Sequence, residues 1–429
     1  LDMLTDSGVN AMSDQQLSAM MIADDSYAGS ETFYRLEKVV QEFFNKQFFL
    51  PAHQGRACEN IIANILIKDK KNTLMNYHFT TTKAHITRCG GKVIEIGNKD
   101  MLDVTSNNPF KGNMDINQLK QTIKELGKDQ IAFVRLEAGT NLIGGQPLSL
   151  KNMEDVAKVC KESGILLVFD ASLLADNLYF IKTREEQCYN MSLEEIVHRM
   201  SDCMDLIYFS GRKLGCAKGG GIATNNEQLF NQMSTLVTLF EGFLTYGGMS
   251  VKEMEAMAVG LKETLDFHMI SQTPIFVEAF GNELEKHGVP VVRPFGGLGC
   301  HIDAKRFVDH LDPSQYQGAS LTSAIYLISG VRGMERGTMS EQRNEDGTEV
   351  FADMELVRLA IPKRVFTLSQ IKYVADRVGW LYQHRHLIGG LEFVDEPDTL
   401  RFFLGKLQPT SDWQEQLVTA FIKEMPNGL

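Results

Sequence analysis

Along this chain, short unbroken apolar runs alternate with stretches in which apolar residues recur every three or four positions. The clearest such unit spans Ser149 to Asp170. Ser149 is placed to cap a helix, Met153, Val156, Ala157 and Cys160 form its apolar stripe, and Gly164 suits a left-handed exit. The run ILLVFD (Ile165 to Asp170) then has the pattern of a strand buried on both faces, closed by a carboxylate. A second unit follows. Ser192 and Glu195 have capping-box spacing ahead of Ile196 and Met200, and DLIYFSGRK repeats the strand. A third run, IAFVRLE (Ile131 to Glu137), leads into the loop AGTNLIGGQP.

Strands alternating with helices predict an α/β doubly wound domain with a mostly parallel sheet, whose ligands gather at the carboxyl ends of the strands. Asn141, Asp170 and the segment from Ser210 to Lys213 are therefore expected to converge in one crevice. After about residue 265 the texture changes. HGVPVVRPFGGLGCHIDAKRF and MELVRLAIPKRVFTLSQIKYVADRV read as short strands paired with amphipathic helices, with the polar loop SEQRNEDGTEV between them. This predicts a large domain over 14–265 and a smaller α+β domain from 1–13 and 266–429. The closing stretch PTSDWQEQLVTAFIKEMPNGL, which belongs to the latter, reads as an amphipathic helix or a tail.

Composition narrows the function. With 429 residues, 43% of them hydrophobic, the chain is long enough to bury a large core, in keeping with two domains. Its 55 acidic against 43 basic residues give a net charge of -12, which repels nucleic acid and anionic lipid. Cys58, Cys89, Cys160, Cys188, Cys203, Cys216 and Cys300 are odd in number and form no CxxC pair, which argues against a disulfide framework or a zinc site and for a reducing cytoplasm. No apolar run approaches the ~18 to 20 residues of a membrane span, and no signal-peptide pattern opens the chain. It begins on Leu1, which leaves room for residues upstream.

The chemistry lies in Asp170 and Lys213. A carboxylate at one strand end and a lysine at the next is the arrangement a pyridoxal phosphate (PLP) enzyme of the aspartate-aminotransferase fold type requires. The lysine bonds to the cofactor aldehyde, and the carboxylate keeps the pyridine nitrogen protonated so that the ring accepts electrons. Taken singly, a strand-end Asp is more often a turn or cap residue, and a loop Lys more often solvated. The cofactor's phosphate needs donors, and HQGRACENIIANIL puts Gln54, Gly55 and Arg56 at a helix start, where free N–H groups and the helix dipole favour an anion. Ser210 and Arg212 approach from the other strand.

Beyond these features, MLTDSGVNAMSDQQ, YAGSETFYRLE, LPAHQGR, FTTTKAH, NLIGGQPLSL, FDASLLADNLYFI, SGRK, GVRGMERG, MELVRLAIPKRV and LRFF resemble the β-eliminating lyase family, the fold type I PLP enzymes that include tyrosine phenol-lyase and tryptophanase. The likeness runs nearly collinearly from Leu1 to about Leu407 and is closest to the tyrosine phenol-lyase branch. It implies that Lys213 binds the cofactor and removes the Cα proton, and that Asp170 pairs with the pyridine nitrogen. Gln54, Gly55, Arg56, Ser210 and Arg212 hold the phosphate and Phe79 stacks on the ring. Arg358, with Thr5, Ser7 and Asn141, takes the substrate carboxylate through the guanidinium fork. Tyr27 resembles the family's general acid, delivered from a neighbouring subunit, so a homo-oligomer, a dimer of dimers, is implied. In GMERG, Arg336 beside Met334 corresponds to the arginine that works with the threonine matched by Thr80 to hold a phenolic hydroxyl, and Phe402 and Phe403 match the aromatic pair over the substrate. The reaction implied is cleavage of an aromatic amino acid to a phenol, pyruvate and ammonia.

Some positions depart from the family. Leu173 replaces an arginine that contacts the cofactor's phenolic oxygen, a change that should raise the proton affinity of the bound cofactor. The family's paired lysines are here Arg212 and Lys213. At the monovalent-cation site Asp25 stands for a glutamate and Lys218 for an asparagine, which argues against a potassium requirement. Three readings remain open: a lyase acting on tyrosine, a lyase or synthase of the same family acting on another β-substituted amino acid, and a catalytically silent homologue.

Overall fold

A computed structural model describes residues 1–69, 71–344, 346–397 and 400–425. The chain forms two units. The larger comprises Ser7–Met101 and Asn108–Gln272, and the smaller Leu1–Asp6, Leu102–Asn107 and Thr273–Leu429.

The larger unit contains β1 (Phe48–Ala52), β2 (Asn72–Met75), β3 (Lys92–Glu95), β4 (Ile131–Glu137), β5 (Leu167–Asp170), β6 (Leu206–Ser210) and β7 (Gly220–Thr224), of which β4, β5 and β6 come from the three apolar runs. They form one sheet in the order β1-β7-β6-β5-β4-β2-β3. β7 runs antiparallel to both its neighbours, while the remaining pairs are parallel. Every residue of β4 to β7 is buried, which is why these strands read as continuous apolar runs. Their side chains alternate between two cores. Phe169, Phe209 and Ala223 pack with the Glu31–Phe44 and Leu150–Ser163 helices, while Val168, Tyr208 and Ile222 pack with the Gly55–Leu66 helix.

Local signals set the helix ends. Ser149 Oγ accepts from the Asn152 N–H at 3.1 Å, and Gly164 closes the helix at φ 66°. The Ser192/Glu195 capping box has both its bonds, at 3.1 and 2.6 Å. One boundary differs from the sequence pattern. β5 begins at Leu167, because its ladder with β4 starts at the Val134 and Leu167 pair, and Ile165 and Leu166 form the lead-in from Gly164.

The smaller unit is α+β. β8 (Gly299–Asp303), β9 (Met334–Arg336) and β10 (Leu356–Ala360) form an antiparallel sheet in the order β8-β10-β9, and β11 (Leu391–Asp395) pairs with β12 (Lys406–Pro409). The Gln317–Ser329, Leu368–Gln383 and Trp413–Glu424 helices share its core. The last of these arises from the C-terminal stretch and buries Trp413 and Leu417, while 426–429 lie outside the described residues. The loop SEQRNEDGTEV is irregular over its described positions, which exclude Glu345. Among the described residues, no helix is long and apolar enough to cross a membrane, and all seven cysteines are free.

Candidate active site

Parallel register brings the carboxyl ends of β4, β5 and β6 into one row. Glu137 is opposite Asp170, and Asp170 is opposite Tyr208. β6 ends at Ser210, and the turn that follows carries Lys213, whose N–H donates to the Ser210 carbonyl at 3.1 Å. The Lys213 Nζ lies 5.4 Å from the centroid of the Phe79 ring. Phe79 is the residue before the Thr80–Arg88 helix, which follows β2 at the same edge of the sheet.

The Gly55–Leu66 helix starts at this edge, with Gln54 as its extended cap and no side-chain cap bond. The positive end of the helix dipole at this start favours an anion. The approach is close. A Cβ at Gly55 would lie 2.9 Å from Ser210 Cβ, and one at Gly220 would lie 3.2 Å from the Gly55 nitrogen. Glycine at both places lets the helix start settle against the ends of β6 and β7. Ser210 is held by its N–H, which donates to Ser172 Oγ at 3.0 Å.

Asp170 is 6% exposed. Its Oδ1 accepts from the Ser172 N–H at 3.0 Å and its Oδ2 from Arg135 Nη at 2.7 Å. Arg135, on β4, is 1% exposed and also bonds Glu137 Oε2 at 3.0 Å and Tyr208 Oη at 2.9 Å. Burial works against the charge on this guanidinium, but Tyr208, Glu137, Asp170 and Glu59 outweigh it and hold the proton more tightly than usual. Burial likewise pushes the Glu137 carboxyl up, with Arg135 opposing. Glu59, on the Gly55–Leu66 helix, is pushed up to about 7 by burial and by Asp170, against hydrogen bonds from Thr81 and Thr82. Neither Arg135 nor Glu137 is singled out by the sequence pattern. Two charged residues at alternate positions of an otherwise apolar run were the only signal.

These residues fit PLP. The Thr80 Oγ1 and Arg212 Nε are buried with no hydrogen-bond partner among the described residues, and glycine at 55 lets the helix start approach Ser210 more closely than a Cβ would allow. A phosphate-bearing ring would use donors of this kind. Arg212 packs against Gly8, where a Cβ would meet its Nη1 at 3.1 Å. Asn141 is buried, and its N–H donates to Glu137 Oε1 at 3.0 Å. Arg56 is exposed. Tyr27 is 76% exposed, stacks on Phe243 at 5.9 Å and meets Tyr246 edge to face at 5.7 Å. Asp25 and Lys218 are exposed, and the Lys218 N–H donates to Glu253. Ser7 is half-buried in the larger unit. Leu173 is buried beside Gly139, whose φ of 57° suits glycine and where a Cβ would meet Leu173 Cβ at 3.0 Å.

The smaller unit holds buried arginines at 336 and 358. Arg358 on β10 faces Met334 on β9 and His301 on β8 in register. It is 1% exposed, and its Nη2 donates to the Leu4 carbonyl and lies 2.9 Å from Met334 Sδ. Burial pulls it down to about 10, with nearby Asp6 opposing. His301 is held neutral, its value pushed to about 3 by burial and by Arg358, and its Nδ1 lies 3.0 Å from the Gly299 carbonyl. Arg336 is buried with its guanidinium carbon 5.4 Å from the Phe402 ring, and Phe402 meets Phe403 edge to face. Thr5 is half-buried near Arg358's partner Leu4 in sequence.

The family model described as Beta-eliminating lyase matches residues 2–377. A tyrosine phenol-lyase from Pasteurella multocida is 40% identical over 411 residues, 95% of this chain and 90% of that protein. One from Clostridium tetani is 41% identical over 408 residues, 95% of this chain and 89% of its own length. Among solved structures, a threonine aldolase from Leishmania major superposes with a TM-score of 0.61 at 14% identity, covering 89% of this chain and 99% of its own. A serine palmitoyltransferase from S. paucimobilis with PLP bound gives a TM-score of 0.60 at 12% identity over 90% of this chain and 87% of its own. The fold is that of fold type I PLP enzymes.

Proposed function

The chain belongs to the β-eliminating lyase family and is a PLP-dependent lyase, and from that premise we propose that it cleaves tyrosine-like amino acids, with water, to a phenol, pyruvate and ammonia. The observation that carries this reading is the meeting at one sheet edge of Lys213 over Phe79, the carboxylate of Asp170 and the start of the Gly55–Leu66 helix. Bound there, PLP supplies an electron sink for the charge left when a proton leaves Cα. Lys213 takes that proton. Asp170 holds a proton on the ring nitrogen, and Phe79 covers the ring. Gln54, Gly55, Arg56, Ser210 and Arg212 hold the phosphate, where the missing partner of Arg212 Nε is the support in this chain.

In the same proposal Arg358 binds the substrate carboxylate together with Thr5, Ser7 and Asn141. Arg336 and Thr80 hydrogen-bond the phenolic hydroxyl, a role supported by the unpartnered Thr80 Oγ1. Met334, Phe402 and Phe403 pack on the aromatic ring. Tyr27 protonates the leaving phenol carbon from a neighbouring copy, as its 76% exposure allows, so the active form is a homo-oligomer, a dimer of dimers, in the cytoplasm. We further propose that turnover needs no potassium, because exposed Asp25 and the ammonium of Lys218 stand where relatives would hold it.

A second reading keeps the family and changes the substrate to another β-substituted amino acid. Buried Leu173 favours it, since the family arginine there contacts the cofactor. Pyruvate released from tyrosine, tryptophan and S-alkyl cysteines separates the two. Phenol formed from tyrosine supports the first; pyruvate from the other substrates alone sinks it. A protein that shows no cofactor absorbance lost in Lys213→Ala would be a silent homologue.

A further inference from the structure

Asp170 does not stand alone at its strand end. Glu137 lies opposite it on β4, Tyr208 lies opposite it on β6, and Glu59 adds a third carboxyl from the Gly55–Leu66 helix. One guanidinium serves this group. Arg135 reaches Asp170, Glu137 and Tyr208 with three different nitrogens, at 2.7, 3.0 and 2.9 Å, and is itself 1% exposed.

We propose that Arg135 is a positioning residue for the cofactor, fixing the Asp170 carboxylate in place and keeping the shared proton on the ring nitrogen. The inference rests on Asp170 facing that nitrogen, as proposed above. The electrostatic reason is direct. A proton shared between the Asp170 carboxylate and a ring nitrogen beyond it lies nearer the guanidinium when it sits on the carboxylate that Arg135 touches. A fixed cation in a poorly screened interior therefore favours the arrangement that moves the proton outward, to the ring. In its absence a buried acid and base would settle as a neutral pair, since isolated charges there are costly. Orientation acts in the same direction. With Oδ2 held by Arg135 and Oδ1 by the Ser172 N–H, the carboxylate cannot rotate, and each oxygen keeps a further lone pair for the ring.

Arg135→Met alone would leave Glu137 buried without its partner, so the test uses Arg135→Met with Glu137→Gln. Glutamine keeps the acceptor that Glu137 Oε1 offers to the Asn141 N–H. Apoprotein is loaded with PLP carrying 15N in the ring. The ring-nitrogen chemical shift and the cofactor dissociation constant are then measured, with the apoprotein Tm as a check on folding. In the parent protein and in Glu137→Gln the shift should be that of a protonated ring. In the double variant it should move toward the unprotonated value, with cofactor affinity at least tenfold weaker. Arg135→Lys, which restores a cation but not the fork, should recover most of the shift and part of the affinity. The inference is overturned if the double variant keeps the parent shift while Asp170→Asn moves it. If Asp170→Asn leaves the shift unchanged, the underlying assignment of Asp170 fails and takes this inference with it. A purely structural Arg135 would lower the Tm and leave the 15N shift where it was.

Discussion

Gly55→Ala is a small change with a large expected effect on cofactor binding. The added methyl would stand 2.9 Å from Ser210 Cβ, 3.3 Å from its Cα and 3.4 Å from its nitrogen. Comfortable carbon contacts begin at about 3.5–4.0 Å, so the helix start or the end of β6 must give by about 0.6–1 Å. Neither is loose. β6 is buried over its whole length between β5 and β7, and the helix buries Ala57, Cys58, Ile61 and Ile62. Overpacking of this kind costs about 1–3 kcal/mol. Donors displaced by that distance fall out of hydrogen-bond range of a phosphate, each such bond being worth about 1.5–3 kcal/mol. At about 1.4 kcal/mol per factor of ten, the PLP dissociation constant should rise about 10- to 100-fold. The assay is a titration of apoprotein with PLP, read by absorbance. Because Ser210 is itself a proposed ligand, the contact is isolated in two backgrounds. Gly55→Ala should cost less in Ser210→Gly, where the opposing Cβ is gone, than in Ser210→Ala, where it remains. An equal cost in both, or a dissociation constant within twofold of the parent, would refute the close-approach argument.

Other sites give sharper, simpler outcomes. Glu59 is pushed from 4.5 to about 7 in the fold, so its contribution is fully favourable below about pH 4.5 and is lost as pH rises through 7. The stability of the parent relative to Glu59→Gln, from denaturant melts, should fall by on the order of 3 kcal/mol across that window and be flat above it; a flat difference throughout contradicts the buried assignment. Arg336→Leu should lower kcat/KM for tyrosine about 10- to 100-fold while pyruvate release from an S-alkyl cysteine changes less than threefold, since only the former offers a phenolic hydroxyl; equal losses on both would show a general packing role. Arg401, in the smaller unit, is 1% exposed and paired with Glu349 and Glu396. Arg401→Met should cost about 3–5 kcal/mol and lower the Tm by about 6–20 °C in calorimetry, and a drop under 2 °C would mean the pairs are dispensable.

What the sequence disclosed follows the range of the forces involved. The Ser149 cap, the Gly164 exit and the Ser192/Glu195 box act within one turn of helix, so spacing alone reveals them, and all three have the predicted geometry. β4 was legible because a strand covered on both faces is largely apolar, as IAFVRLE is. Sheet order and the antiparallel sense of β7 were not legible, since which strand lies beside which depends on packing between distant segments. The same limit hid the Arg135 cluster. IAFVRLE reads as a strand leading into a loop, yet Arg135 and Glu137 are buried: Arg135 pairs with Glu137 two positions on and also bonds Asp170 and Tyr208, which lie 35 and 73 positions away in sequence. In the smaller unit Glu349 lies in a polar loop by composition, and only the fold joins it to Arg401.

The placement of cations around the site also bears on the Leu173 departure. An arginine at that position would bring positive charge to the start of the Leu174–Arg184 helix; Leu173 instead closes an apolar contact on Gly139. The buried positive charge found near Asp170 lies on the neighbouring strand, at Arg135, and it is tied to Asp170 and Glu137. A cation held by carboxylates is largely neutralised, so it cannot replace one aimed at the cofactor's phenolic oxygen. It can govern only the groups it touches, and those stand at the proposed nitrogen end of the ring. The two differences therefore push one way. On the reading proposed above, with no cation at the oxygen end and Arg135 on the Asp170 carboxylate at the other, the bound cofactor would gain proton affinity at both ends. On the same proposal this would change how readily the cofactor protonates while leaving the lysine, the carboxylate and the helix start in place, so elimination would survive and the preferred leaving group would be the property most open to change.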